Sequence, residues 1–203
     1  METDEFLTIE GTSEGIYKEK GSKFLAFAFP VESEQEVKSH LDRLRNQHHD
    51  ARHHCYAYLL GPGMDIYRLN DDGEPSSTGG KPIFGQIRSY NLTNVLVIVV
   101  RYFGGTLLGT SGLIRAYKTA AGDALKNAKI IKRTIQSHYK VSFDYFLMSN
   151  VEKMLHDLDI RPLEKTFGAQ CTYRIGIRKT LEGKMVDQLK RINGLHFNKI
   201  ENP

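Results

Sequence analysis

Six consecutive aliphatic residues, Val95-Leu96-Val97-Ile98-Val99-Val100, constrain this chain more than any other feature. A strand with one wet face alternates apolar and polar side chains, so an unbroken β-branched run suits a central strand covered on both faces. Gly104-Gly105 stops the run, and Leu113, Tyr117, Ala120, Ala121 and Ala124 then recur at helical spacing over 112–125. The unit is strand, glycine loop, helix, and it needs partners on each side. Upstream segments supply them. Residues 22–29 read as a strand ended by Pro30, and Ser33 is placed to cap a helix that runs to about His48 with Val37, Leu41 and Leu44 as its apolar stripe. Residues 54–60 and 64–69 read as a hairpin turned by Gly61-Pro62-Gly63. A further helix starts near Lys81-Pro82 and ends near Tyr90.

Downstream, residues 130–133 read as a last strand or a linker, and a new series follows: strand 137–143, helix 147–158, strands 163–167 and 170–177, helix 181–192 and strand 195–200. This is the β-α-β-β-α-β order of ferredoxin-like domains. A chain of 203 residues accommodates two cores of ordinary size. The expectation is therefore an α+β protein of two domains, 1–130 and 137–203, joined near 128–137. The longest apolar run falls far short of the roughly 20 residues of a membrane-spanning helix, and the acidic start Met1-Glu2-Thr3-Asp4-Glu5 lacks the regions of a signal peptide. Cys55 and Cys171 fall in different domains without framework spacing, as reduced thiols of a cytoplasmic protein do, and no disulfide is expected.

Three segments carry possible chemistry. The first runs from Arg101 through Gly104, Gly105 and Gly109 to Arg115: glycines let a ligand approach the backbone, a helix start presents free N–H groups, and the two arginines add charge. It lacks the Gly-Lys-Ser/Thr ending of a P-loop and the G-x-G-x-x-G spacing of dinucleotide folds, so phosphate binding and a tight strand-to-helix crossover stand about even. The second is Asp71-Asp72-Gly73-Glu74-Pro75. Its carboxylates suit Mg²⁺ or acid-base work, although such clusters are more often exposed acidic turns in a surface loop, here one that reaches Gly80. Lys81 follows directly and adds a cation to a polar surface. The third is His48-His49-Asp50-Ala51-Arg52-His53-His54-Cys55, whose ligand types suit zinc but whose spacing does not, with no second cluster to complete four ligands. Arg52 and His53 are expected at the surface where a strand begins. No metal, cofactor or catalytic residue is assigned, Cys55 included.

Taken together and in order, Lys20-Gly21-Ser22-Lys23-Phe24, Ala51-Arg52-His53-His54-Cys55, Asp71-Asp72-Gly73-Glu74-Pro75, Gly79-Gly80-Lys81-Pro82 and Val100-Arg101-Tyr102-Phe103-Gly104-Gly105 with Leu108-Gly109 resemble the IMPACT family, in its bacterial YigZ-type branch. The resemblance implies that residues 1–130 adopt the β-α sandwich shared by a small-subunit ribosomal protein, the fourth domain of elongation factor G and the protein part of ribonuclease P. It implies a ferredoxin-like second domain similar to the last domain of elongation factor G. Eukaryotic members regulate translation under amino-acid starvation, through a different partner-binding domain.

The net charge of +4 and pI near 8.9 permit polyanion contact without the heavy basic bias of an evident nucleic-acid binder. With the resemblance, the leading expectation is a non-enzymatic protein of translational regulation and stress response. It would contact RNA or a ribosome-associated partner through Arg52, His53, Asp71, Asp72, Glu74, Lys81, Arg101, Gly104, Gly105, Gly109 and Arg115. Two alternatives stand beside it: an enzyme acting on a phosphorylated small molecule, with Asp71, Asp72 or Glu74 on a metal, and a protein-only adaptor.

Overall fold

A computed structural model describes residues 4–200. The chain divides into two compact units, one of residues 6–133 and one of 134–200 together with 4–5. It is a mixed α/β protein with three sheets and five α-helices among the described residues. The first part runs β1 (Glu5–Ile9), β2 (Ser13–Glu19), β3 (Ser22–Pro30), α1 (Glu34–Gln47), β4 (His53–Leu60), β5 (Ile66–Asn70), α2 (Gly80–Ser89), β6 (Val95–Tyr102), α3 (Gly109–Asn127) and β7 (Ile130–Thr134). The second runs β8 (Gln136–Phe143), α4 (Met148–Asp157), β9 (Pro162–Phe167), β10 (Cys171–Arg178), α5 (Glu182–Lys190) and β11 (His196–Ile200).

The aliphatic run is the middle strand of a five-stranded antiparallel sheet ordered β2-β3-β6-β4-β5. Both of its faces are dry. Val95, Val97 and Val99 join Phe24, Cys55 and Leu59 in a core closed by α2 and α3, while Leu96, Ile98 and Val100 join Phe27, Phe29 and Tyr58 in a core closed by α1. Helix α1 starts where expected: the Ser33 hydroxyl accepts from the Glu36 amide (3.2 Å), and the Glu36 carboxylate accepts in return from the Glu32 amide (2.8 Å). Helix α3 presents Ala116, Ala120, Ala121 and Ala124, all fully buried, to the sheet. These small side chains bring the helix close to β2.

Strands β1 and β2 have no counterpart in the sequence reading. The edge strand β2, Ser-Glu-Gly-Ile-Tyr-Lys-Glu, has few apolar residues to signal it. Residues 130–133 belong to a strand, and β7 pairs with β1 in a two-stranded sheet. Every residue of β4 from His54 to Leu60 is buried, because its side chains alternate between two covered layers, Cys55, Ala57 and Leu59 in one and Tyr56, Tyr58 and Leu60 in the other.

In the second unit four antiparallel strands lie in the order β11-β8-β10-β9. Here the pattern alternates. Cys171, Tyr173, Ile175 and Ile177 are buried with Val151, Met154 and Leu155 of α4 and Met185 and Leu189 of α5, whereas Thr172, Arg174 and Gly176 between them are only half-buried.

Candidate nucleic-acid interface

The site grows from the end of β6. This strand continues two residues beyond the aliphatic run, and Arg101 pairs in register with Phe24 of β3 and His53 of β4. Strand alternation puts Arg101 on the same face as Val95, Val97 and Val99, under α3. It is 5% exposed. Its Nη1 donates to Glu74 Oε1 (2.6 Å), which also accepts from the Tyr117 hydroxyl (2.7 Å). The expectation of a solvent-facing Arg101 is thereby corrected: the side chain is drawn inward by its strand position and held by a buried carboxylate. Burial pushes the Tyr117 hydroxyl far above its ordinary pKa, so it stays protonated and donates.

The acidic loop is corrected in the same way. Gly73, Pro75, Ser76 and Ser77 are exposed as a surface turn requires, but the carboxylates are bound within the fold. Asp71 accepts from the amides of Ser77 (2.9 Å), Gly79 (2.9 Å) and Gly80 (2.8 Å), so a carboxylate from eight residues upstream satisfies the start of α2, whose N-cap Gly79 offers no side chain. Asp72 accepts from the His54 amide (2.7 Å) and from Arg45 (3.3 Å), and its carbonyl accepts from His53 Nδ1 (2.8 Å). Glu74 carries the Arg101 pair. Each carboxylate is already engaged, and no group of three metal-ligating side chains occurs among the described residues. Cys55 donates to the Asp71 carbonyl (3.0 Å), and burial pushes its thiol up, which leaves it unreactive. Burial also lowers the pKa of His54, with partial opposition from Asp72, so its imidazole is neutral at pH 7.

The glycines of the loop have separate tasks. Gly104 meets the β2–β3 turn: its amide donates to Ser22 Oγ (3.1 Å), and a Cβ there would fall 1.9 Å from the Gly21 carbonyl carbon. Gly104 is therefore a packing position and does not face a ligand, contrary to expectation. Gly105 takes a positive φ of 85° in open space, which turns the chain toward α3. Gly109 is the first residue of α3 and has a positive φ of 70°.

A cavity of about 350 Å³ opens between this loop and the start of β4. Of the expected site residues, Arg52, His53, Glu74, Arg101 and Gly109 border it. Asp71 and Asp72 lie outside it as the wiring of the acidic loop, and Lys81, Gly104, Gly105 and Arg115 also lie outside its walls. Arg115 is exposed and paired with Glu19. Reading only charge and glycine missed the apolar side chains of the wall, Phe103, Leu107, Leu108 and Leu113. Phe103 is 41% and Leu107 82% exposed. Their presence inside a glycine-rich loop was the available signal, since a mere connector has no use for them. The guanidinium carbons of Arg101 and Arg52 lie 5.6 and 6.0 Å from the Phe103 ring centroid.

The sequence profile of the Impact N-terminal domain matches residues 20–125, more than half of the chain and every wall of this cavity. The chain belongs to the IMPACT family. Among its IMPACT relatives, the Escherichia coli protein described as IMPACT family member YigZ is 31% identical over 160 residues, covering 78% of each chain. The Bacillus subtilis IMPACT family member YvyE is 32% identical over 152 residues, 75% of this chain and 70% of its own. A solved structure described as a hypothetical protein matches the whole of both chains with a TM-score of 0.74 at 26% identity. No helix among the described residues is long and apolar enough to cross a membrane.

Proposed function

We propose that this IMPACT protein is a non-enzymatic, cytoplasmic binding protein in the regulation of translation, and that it contacts RNA at the start of α3. One observation carries the reading. Helix α3 is 19 residues long, its first turn holds no acidic residue, and no side chain caps it. Its first amides border a cavity that also presents Arg52. Free N–H groups, the positive end of the helix dipole and a guanidinium together favour phosphate. A binding role rather than catalysis is supported by the engagement of Asp71, Asp72 and Glu74 within the fold and by the unreactive state of Cys55.

The same reading takes the two units as separate domains joined near 128–137. The first is the ribosomal-protein-type sandwich and the second, ordered β11-β8-β10-β9, the ferredoxin-like fold. The test is binding of purified protein to single-stranded RNA and to ribosomal particles across a salt series. Affinity falls steeply as salt rises, and Arg52→Ala weakens binding and flattens the slope by about 0.7 unit for a single strand. Retention of a protein partner after ribonuclease treatment, with no salt-sensitive binding to RNA, replaces this reading with the adaptor.

A further inference from the structure

We infer that the cavity under Phe103 receives one unpaired nucleotide, with its phosphate at the start of α3 beside Arg52 and its base against Phe103 and Leu107. This deepens the RNA reading above and rests on it.

Size sets the first limit. About 350 Å³ lies near the lower end of the roughly 300–1,000 Å³ of small-ligand pockets, which suits one ring system and one anion and excludes a paired helix. The walls then divide by chemistry. The uncapped α3 start, with Gly109 and Thr110, and Arg52 supply donors and charge. Phe103 and the strongly exposed Leu107 supply apolar surface. Unpaired bases stack on aromatic faces and guanidinium planes, and the Phe103 ring has two guanidinium groups within 6.0 Å.

A second, independent observation points to a ligand. Arg101 borders the cavity and is 5% exposed, yet its Nε has no hydrogen-bond acceptor among the described residues. A buried guanidinium N–H without an acceptor is costly, and it marks the Arg101 end of the cavity as short of an acceptor. The negative group in the wall, Glu74, does not repel an anion, because Arg101 balances it and Tyr117 also donates to it. Arg52 and the helix start therefore leave the cavity net positive. An apolar peptide segment would use Phe103 and Leu107 but not these donors, and a bare anion would use the donors but not the apolar wall.

The probes are adenosine 5′-monophosphate, adenosine, inorganic phosphate, and a 5′-phosphorylated single-stranded RNA compared with the same strand in a duplex, each titrated into the full chain. The monophosphate competes with the single strand, whereas adenosine and phosphate each compete at least about tenfold less well. Phe103→Ala and Leu107→Ser, both at exposed positions and checked for native circular dichroism, lower monophosphate affinity by roughly tenfold or more. They leave the salt slope unchanged, while Arg52→Ala flattens it. RNA binding that is untouched by the monophosphate and by both apolar variants overturns the cavity assignment and leaves the RNA reading standing. Monophosphate binding without any RNA binding keeps the cavity, makes its source a free nucleotide and overturns the RNA reading. Phosphate that competes as well as the nucleotide overturns the base contact, and no binding of any probe overturns both.

Discussion

Strand β6 holds six consecutive aliphatic side chains at 0% exposure, whereas β10 buries Cys171, Tyr173, Ile175 and Ile177 and leaves their neighbours half-wet. Both strands lie inside antiparallel sheets, and they differ in what covers them. Helices close both faces of the first sheet, α1 on one side and α2 with α3 on the other, while the buried cluster of the second draws its helices to one face. The difference teaches where each unit tolerates polarity. In β6 no position is tolerant, so even the arginine at its end must be neutralised internally. In β10 every second position is.

The largest expected effect tests that contrast directly. Val97→Asp and Ile98→Asp, on opposite faces of β6, each abolish folding of the first unit, because an uncompensated carboxylate enters a sealed core. In β10, Ile175→Asp unfolds the second unit while its neighbour Arg174→Gln stays within about 1 kcal/mol, since the ion pair of Arg174 with Glu164 is exposed. Denaturant unfolding measures all four. A stable Ile98→Asp protein would break the comparison by making the α1 layer dispensable.

The next effect concerns ion pairs of the two units. Glu74→Ala leaves Arg101 charged and buried, and costs about 3–5 kcal/mol. The double variant Glu74→Leu/Arg101→Met recovers most of that loss, as a double-mutant cycle in urea reads out. In the second unit, Glu152 meets Lys165 at 2.7 Å with both side chains partly exposed, and Lys165→Ala costs under about 1 kcal/mol. Equal costs would show that the interior of the first unit is wetter than its burial implies.

The smallest effect is acid sensitivity. Hydrogen bonds from Lys199 and Tyr139 hold the Glu182 carboxyl down at about 2, and those from Lys165 and Tyr173 lower Glu152. Depressed carboxylates stabilise the fold above their unfolded pKa, and that contribution is lost as pH falls from the ordinary value of 4.5 through about 2. The denaturation midpoint of the second unit accordingly drops over this range, and Glu182→Gln removes part of the drop. A midpoint that is flat with pH would remove these pairs from the account.

Periodicity made the main elements legible. The unbroken run announced a covered strand, the four- and three-residue spacings of Val37, Leu41 and Leu44 announced α1, and Ser33 marked its start. The site was legible only as a neighbourhood. Its charge groups Arg101 with the glycine segment; as a residue of β6 it has the parity of Val99 and turns inward. Asp71 reaches amides at Ser77, Gly79 and Gly80 within its own loop, a closure with none of the spacing of a capping box. Strand β2 escaped notice because its pairing with β3 and its contact with α3 at Gly15 identify it, and neither is written in seven mostly polar residues.

The place of β6 also bears on how the protein is made. It lies between β3 and β4, yet a ribosome delivers it after both. Until Val95–Tyr102 emerges, the nascent chain holds two hairpins, β2–β3 and β4–β5, each with one unpaired edge of buried-type residues. Such edges pair readily with other chains. Completion of the sheet needs β6 to join both hairpins, and long-range closure of that kind is slow. Translation paused before residue 95 therefore leaves this protein at its most aggregation-prone.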